Sequence, residues 1–142
     1  MNLSAKTEYA CIAIVELSSR YASGELAQIR QIAAAHGIPS RFLVQILLQL
    51  KSAGLINSTR GAAGGYRLAK DPAEITLGEV MAAIEGSGET AQSNIADGTP
   101  AAEALLATWQ QACEAQQQVL HAVTLAELAQ RAAGRTEEMY YI

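Results

Sequence analysis

A chain of 142 residues suits one domain with an appendage and can bury a real core; half of it is hydrophobic, much of that alanine and leucine, which favours helix. No apolar run approaches the roughly 20 residues needed to span a bilayer, and two cysteines, Cys11 and Cys113, are too few for a disulfide framework. The net charge of −4 hides a split: residues 1–70 carry eight Lys/Arg against three Glu, net +5, while residues 71–142 carry two Arg against eleven Asp/Glu, net −9.

Residues 3–21 are expected to form a first helix, with Ser4 as N-cap accepting an orphan N–H of the first turn. Ala10, Ile14, Leu17 and Tyr21 mark one apolar stripe, and Cys11 with Val15 widens it, so Cys11 reads as a small core residue and not as a reactive thiol. The N-terminus lacks the basic-then-apolar order of a signal peptide, which with the cysteine count points to a soluble, cytoplasmic protein. Ala22, Ser23 and Gly24 break the helix, and residues 25–27 are expected to add a short strand to a later hairpin. A second helix, residues 28–35, turns Ile29, Ile32 and Ala33 inward. Ala33 followed by Gly37 and Ile38 is the turn of a helix-turn-helix: the small residue lets the helices approach and glycine supplies the bend. His36 falls where a ring nitrogen can cap a free carbonyl, a structural role.

The third helix, residues 39–53, starts with Pro39 in its first turn and stops at Gly54. Phe42, Leu43, Ile46, Leu47 and Leu50 recur at steps of three and four, which makes one buried face; Arg41, Gln45, Gln49 and Lys51 lie off it. Residues 55–59 and 66–68 are β-formers on either side of Arg60, Gly61, Gly64 and Gly65, the pattern of a hairpin. A dinucleotide fingerprint would need a helix after the glycines, and a P-loop would end in Gly-Lys-Ser/Thr; here Tyr66, Arg67 and Leu68 lead to Asp71-Pro72. A surface hairpin without a role accounts for the glycines but not for Arg60, Arg67 and Lys70. A helix followed at once by a basic hairpin is the layout of a winged helix-turn-helix, and it lies in the basic half of the chain, as phosphate neutralisation requires. The acidic half is expected to point away from DNA.

Thr76 and Glu79 form a capping box opening a fourth helix that runs to about Glu85, with Ile75, Val80, Met81 and Ile84 apolar. Residues 86–98 are a polar, glycine-containing loop, expected to be mobile. Thr99 and Pro100 then open a long helix to about Val123. Along it Ala102, Leu106, Trp109, Cys113, Gln116, Leu120 and Val123 step by four and three, a coiled-coil seam that wants another helix. A partner subunit is the natural occupant, contacted through Leu106, Trp109, Cys113, Leu120 and Val123; packing against the first helix of the same chain is the alternative, and the two are compatible. Cys113 on this stripe reads as packing. His121 lies off it, with no cysteine, histidine or carboxylate at metal-ligand spacing. A second capping box, Thr124 with Glu127, starts a last helix expected to end near Gly134, followed by a tail, residues 135–142, that is either disordered or docked.

Lys6-Thr7-Glu8-Tyr9-Ala10, Ile32-Ala33 with Gly37-Ile38, the Leu43, Ile46, Leu47, Leu50 helix leading to Gly54-Leu55-Ile56, and above all Arg60-Gly61-x-x-Gly64-Gly65-Tyr66-x-Leu68 resemble the Rrf-type family of bacterial winged helix-turn-helix transcription regulators. The resemblance covers residues 1 to about 85. It implies a homodimer whose third helix enters the major groove through Arg41, Phe42 and Val44, and whose wing, residues Arg60, Gly61, Gly64, Gly65 and Tyr66, brings Arg60 to the minor groove. It also implies backbone contacts from Lys6 and Tyr9. Cluster-binding members place three cysteines after helix four, yet residues 86–112 here contain none. Thiolates are the ligands such clusters require, so no cofactor or metal is expected, and any sensing must use an effector or a regulatory protein.

The expected architecture is therefore mainly α. A winged helix-turn-helix DNA-binding domain with a small β wing, residues 1–85, precedes a loop, residues 86–98, and dimerisation helices, residues 99–134, of which the first is long. The expected function is sequence-specific binding of double-stranded DNA by a homodimer on a palindromic operator, as a repressor, with no membrane partner. A winged-helix protein-interaction module without DNA binding is the alternative. An enzyme is not expected: no nucleophile has a base at motif spacing and there is no metal constellation.

Overall fold

The computed structural model describes residues 3–86 and 92–140, and within them the elements are α1 (Ala5–Ser19), α2 (Ile29–His36), α3 (Ser40–Ser52), β1 (Ile56–Thr59), β2 (Gly65–Leu68), α4 (Leu77–Glu85), α5 (Pro100–Ala122) and α6 (Leu125–Tyr140). Residues 87–91 of the expected loop lie outside the described residues. Ser4 caps α1 as expected, its side chain accepting the Thr7 N–H at 3.2 Å. Ala10, Ala13, Ile14 and Leu17 face the core from this helix. Tyr21 does not join that stripe: α1 ends at Ser19, and the ring is exposed beyond the helix end.

The helix-turn-helix forms where the sequence places it. Gly37 ends α2 in the left-handed conformation at φ 66°, which glycine adopts without a Cβ penalty, and Ile38 donates to the Ala33 carbonyl at 3.1 Å. The His36 ring does not cap a carbonyl but faces Glu16 on α1 at 3.6 Å. Pro39 is the N-cap of α3, one residue before the helix. Leu43, Ile46, Leu47 and Leu50 are buried as a single face. Phe42 departs from that face: at 100° per residue it falls at the edge of the apolar arc, and its exposed ring lies under the Arg41 guanidinium, 5.1 Å from its centroid.

β1 and β2 pair antiparallel with Ile56 opposite Leu68 and Thr59 opposite Gly65, so the buried Ile56 and Leu68 anchor the base of the hairpin. Ala27 adds a one-residue third edge, exchanging backbone hydrogen bonds with Tyr66 at 3.0 and 2.8 Å, the contact expected of residues 25–27. Thr76 caps α4 by accepting the Glu79 N–H at 3.2 Å, while the Glu79 carboxylate pairs with Lys70 at 3.7 Å and so does not complete the expected capping box.

The C-terminal helices are sewn into the same core. Leu77 donates to Val123 and Leu125 to Ile75, both at 2.9 Å, which pins the junction of α5 and α6 beside the start of α4. Leu125 is fully buried with the residues of α1 and α3. Gly78 lets α5 approach closely, since a Cβ there would meet the His121 ring at 2.6 Å. α5 rests on α4, and α6 lies along α1. α6 does not end near Gly134 but continues to Tyr140. Glycine stops a helix by turning to positive φ, and Gly134 is not among the residues that do so; inside a helix it costs only about 1 kcal/mol relative to alanine.

Candidate nucleic-acid interface

α3 presents an outward face opposite its buried one. Arg41, Val44, Gln45 and Leu48 are all exposed there, with Val44 at 47% and Leu48 at 58% of full exposure. The hairpin is fixed to this unit by two side-chain bonds that periodicity does not reveal. Lys51 at the end of α3 donates to Ser58 Oγ on β1 at 2.7 Å, and Gln28 Nε2 before α2 donates to the Ala62 carbonyl in the turn at 3.2 Å. The helix and the wing are therefore held in one geometry from both ends.

The turn itself depends on its glycines. Gly61 has φ 106°, and Gly64 is buried so tightly that a Cβ would sit 2.0 Å from the Thr59 carbonyl oxygen. No other residue fits at Gly64 without moving backbone. Arg60 is exposed at the start of this turn, and Arg67 is exposed on β2 opposite Asn57. Gly65 and Tyr66 are half-buried against the Ala27 edge. Lys6 is exposed on the first turn of α1, whereas Tyr9 is half-buried and packs on the core. Among the described residues, Lys6, Arg41, Arg60 and Arg67 are engaged in no ion pair. Their charges are available to an external anion.

The residues expected at a subunit contact divide. Cys113 is buried within the single chain, and Leu106, Leu120 and Val123 are half-buried. Trp109 is 58% exposed, and it is flanked by Leu105 at 67% and Val119 at 63%. Those three share the neighbouring stripe, because the steps of four residues to Trp109 and of fourteen to Val119 each return within about 40° of Leu105.

Cys11 and Cys113 lie on different helices, and both are at least partly buried. Cys11 is half-buried in the wall of a groove of about 1380 Å³ between α1, α4, α5 and α6. Burial, with Glu85 nearby, pushes its thiol up to about 11, away from the thiolate form that binds metal. Glu85 is itself engaged, accepting from Thr7 and Ser4 and so tying the end of α4 to the start of α1. Among the described residues no group of three or more His, Cys, Asp or Glu is placed to hold a metal ion. With no cysteine in residues 86–112, the donor set does not fit a thiolate-ligated iron–sulfur cluster.

A helix-turn-helix whose third helix carries an open outward face, bonded to a glycine-turned basic hairpin, defines a winged helix-turn-helix protein. Residues 3–131 match the model of the Rrf2 family, described as an iron-dependent transcriptional regulator, and the chain belongs to that family. It is 32% identical to the HTH-type transcriptional regulator CymR of Bacillus subtilis (strain 168) over 143 aligned positions, all of both chains. It is 31% identical to the HTH-type transcriptional regulator IscR of Klebsiella pneumoniae (strain 342), over 90% of this chain and 79% of that one. Against two relatives from Mycobacterium tuberculosis, 45% identical over 86 residues, the chain spans about half of their length, 53%. Among solved structures, CymR of B. subtilis, the global cysteine regulator, superposes with a TM-score of 0.78 at 30% identity, covering 92% of this chain and 98% of that one. The T. potens IscR structure gives 0.76 at 25% identity, covering 93% and 88%.

Proposed function

We propose that the chain acts as a homodimer that binds a palindromic DNA operator in a sequence-specific manner and represses transcription there. The observation that carries this reading is the fixed pairing of α3 with the wing through Lys51 and Ser58, with Arg41 and Arg60 in no ion pair among the described residues. In this arrangement Arg41, Phe42 and Val44 enter the major groove while Arg60 reaches the minor groove, whose negative potential attracts a guanidinium. Gly61, Gly64, Gly65 and Tyr66 shape the wing that carries Arg60. Lys6 and Tyr9 contact phosphates from α1. The acidic C-terminal half faces away from DNA and supplies the subunit contact through α5, where Leu105, Trp109 and Val119 offer an exposed apolar stripe beside Leu106, Cys113, Leu120 and Val123. No helix among the described residues is long and apolar enough to cross a membrane, which agrees with a protein that works on DNA in the cytoplasm.

The experiment is selection of duplexes from a random-sequence pool by the purified full chain. A two-fold dimer should enrich an inverted repeat with half-sites about one helical turn apart, ~34 Å. Enrichment of a single half-site, or of nothing, would contradict the proposal. Regulation is proposed to run without an iron–sulfur cluster, through an effector or a regulatory protein. Protein prepared without oxygen should contain neither iron nor sulfide in stoichiometric amount; visible absorption with matching iron and sulfide would overturn this part.

A further inference from the structure

Val44 and Leu48 stand one turn apart on the outward face of α3, both about half exposed, with the polar side chains of Arg41 and Gln45 next to them on one side. Scattered apolar residues on a surface are ordinary. These two are not scattered: spacing of four residues stacks them into one continuous apolar strip along the face that the DNA-binding reading puts in the groove. Among the groups that distinguish base pairs in the major groove, the C5-methyl of thymine is the large apolar one; the others are hydrogen-bond donors and acceptors. An apolar strip pressed on a G·C edge would strip water from those polar groups and return no hydrogen bond. Pressed on thymine methyls it removes apolar surface from water on both sides.

We propose that Val44 and Leu48 are specificity-determining residues that read thymine methyl groups, so that the centre of each operator half-site carries thymines beneath them. The inference rests on the DNA-binding reading above. The two side chains rise about 6 Å apart along the helix, so they meet thymines one or two base steps apart, while Arg41 and Gln45 beside them are left to hydrogen-bond purine edges. Leu48 thereby gains a role that the resemblance to known regulators does not give it. The strip sets sequence preference and contributes little to phosphate-driven affinity, because it carries no charge.

The test uses the full chain and a duplex selected from the random pool, synthesised again with deoxyuridine in place of each half-site thymine in turn. Uracil keeps the hydrogen-bonding edge and lacks only the methyl. Burying a methyl contributes about 0.8 kcal/mol, so each critical replacement should weaken binding roughly 4-fold, and two together about 15-fold. Val44→Ala and Leu48→Ala, both at exposed positions, should each abolish the discrimination at one thymine and leave the other. Equal binding of thymine and uracil duplexes by the wild-type protein overturns the inference while leaving DNA binding intact. Discrimination that survives in both alanine variants also overturns it. Absence of any duplex binding overturns the DNA-binding reading itself, and this inference with it.

Discussion

Replacing Leu105 and Trp109 with glutamate should turn the proposed dimer into a folded monomer. Both side chains are largely exposed in the single chain, so the substitutions create no cavity and bury no charge within the subunit. At a subunit contact the same positions would be dry, and two carboxylates from each copy would be desolvated next to their symmetry mates. Trp109, the only tryptophan, is the kind of large aromatic on which binding energy concentrates. Losing the partner removes the second half-site from the complex, and the loss of linkage should weaken operator binding by about 100-fold or more. Sedimentation gives the oligomeric state and circular dichroism reports the fold. A double variant that stays a folded dimer means the subunits meet elsewhere. The choice of Leu105 over Leu106 matters, because Leu106 is already half-buried within the single chain, where a charge would damage the subunit as well as the contact.

Arg60→Ala should weaken binding to the selected operator by about 5- to 150-fold, equivalent to ~1–3 kcal/mol. The side chain is exposed and holds no carboxylate among the described residues, so folding stability should change by no more than about 0.5 kcal/mol. The loss should fall on all sequences that share the same minor-groove width, not on one base pair, because the guanidinium responds to potential and shape. Titration of wild type and variant at one salt concentration checks this; equal affinities would remove Arg60 from the interface.

How far the sequence could be read depended on the range of the interaction involved. Local devices came through: the Ser4 cap of α1, Gly37 at the helix-turn-helix bend, the four-residue apolar face of α3 and the glycines of the hairpin each depend on residues a few positions apart. Contacts between distant segments did not. Lys51 is exposed and wet by periodicity, and nothing local says that its amino group holds Ser58. Gln28 reaching Ala62 spans 34 residues and is equally silent. Phe42 looks apolar enough to be core, yet its angular position puts it at the edge of the buried arc. Gly134 resembles a stop signal, but a helix ends at glycine only where the backbone turns, and α6 continues. On α5 apolar residues cover two adjacent stripes, and periodicity alone does not separate the half-buried Leu106 and Leu120 from the exposed Leu105 and Val119.

The central claim is that cationic groups on α1, α3 and the wing neutralise DNA phosphates, and the salt dependence of duplex binding tests it most directly. Each phosphate contact released with its counterion contributes about −0.9 to the slope of log K against log salt. A dimer with Lys6, Arg41, Arg60 and Arg67 engaged in each half should show a steep negative slope, of order −5 or beyond, and Lys6→Ala should flatten it by roughly two contacts per dimer. An affinity for duplex DNA that hardly changes between low and moderate salt, or binding that is absent at low salt, would contradict the account and favour a winged-helix module that recognises a protein.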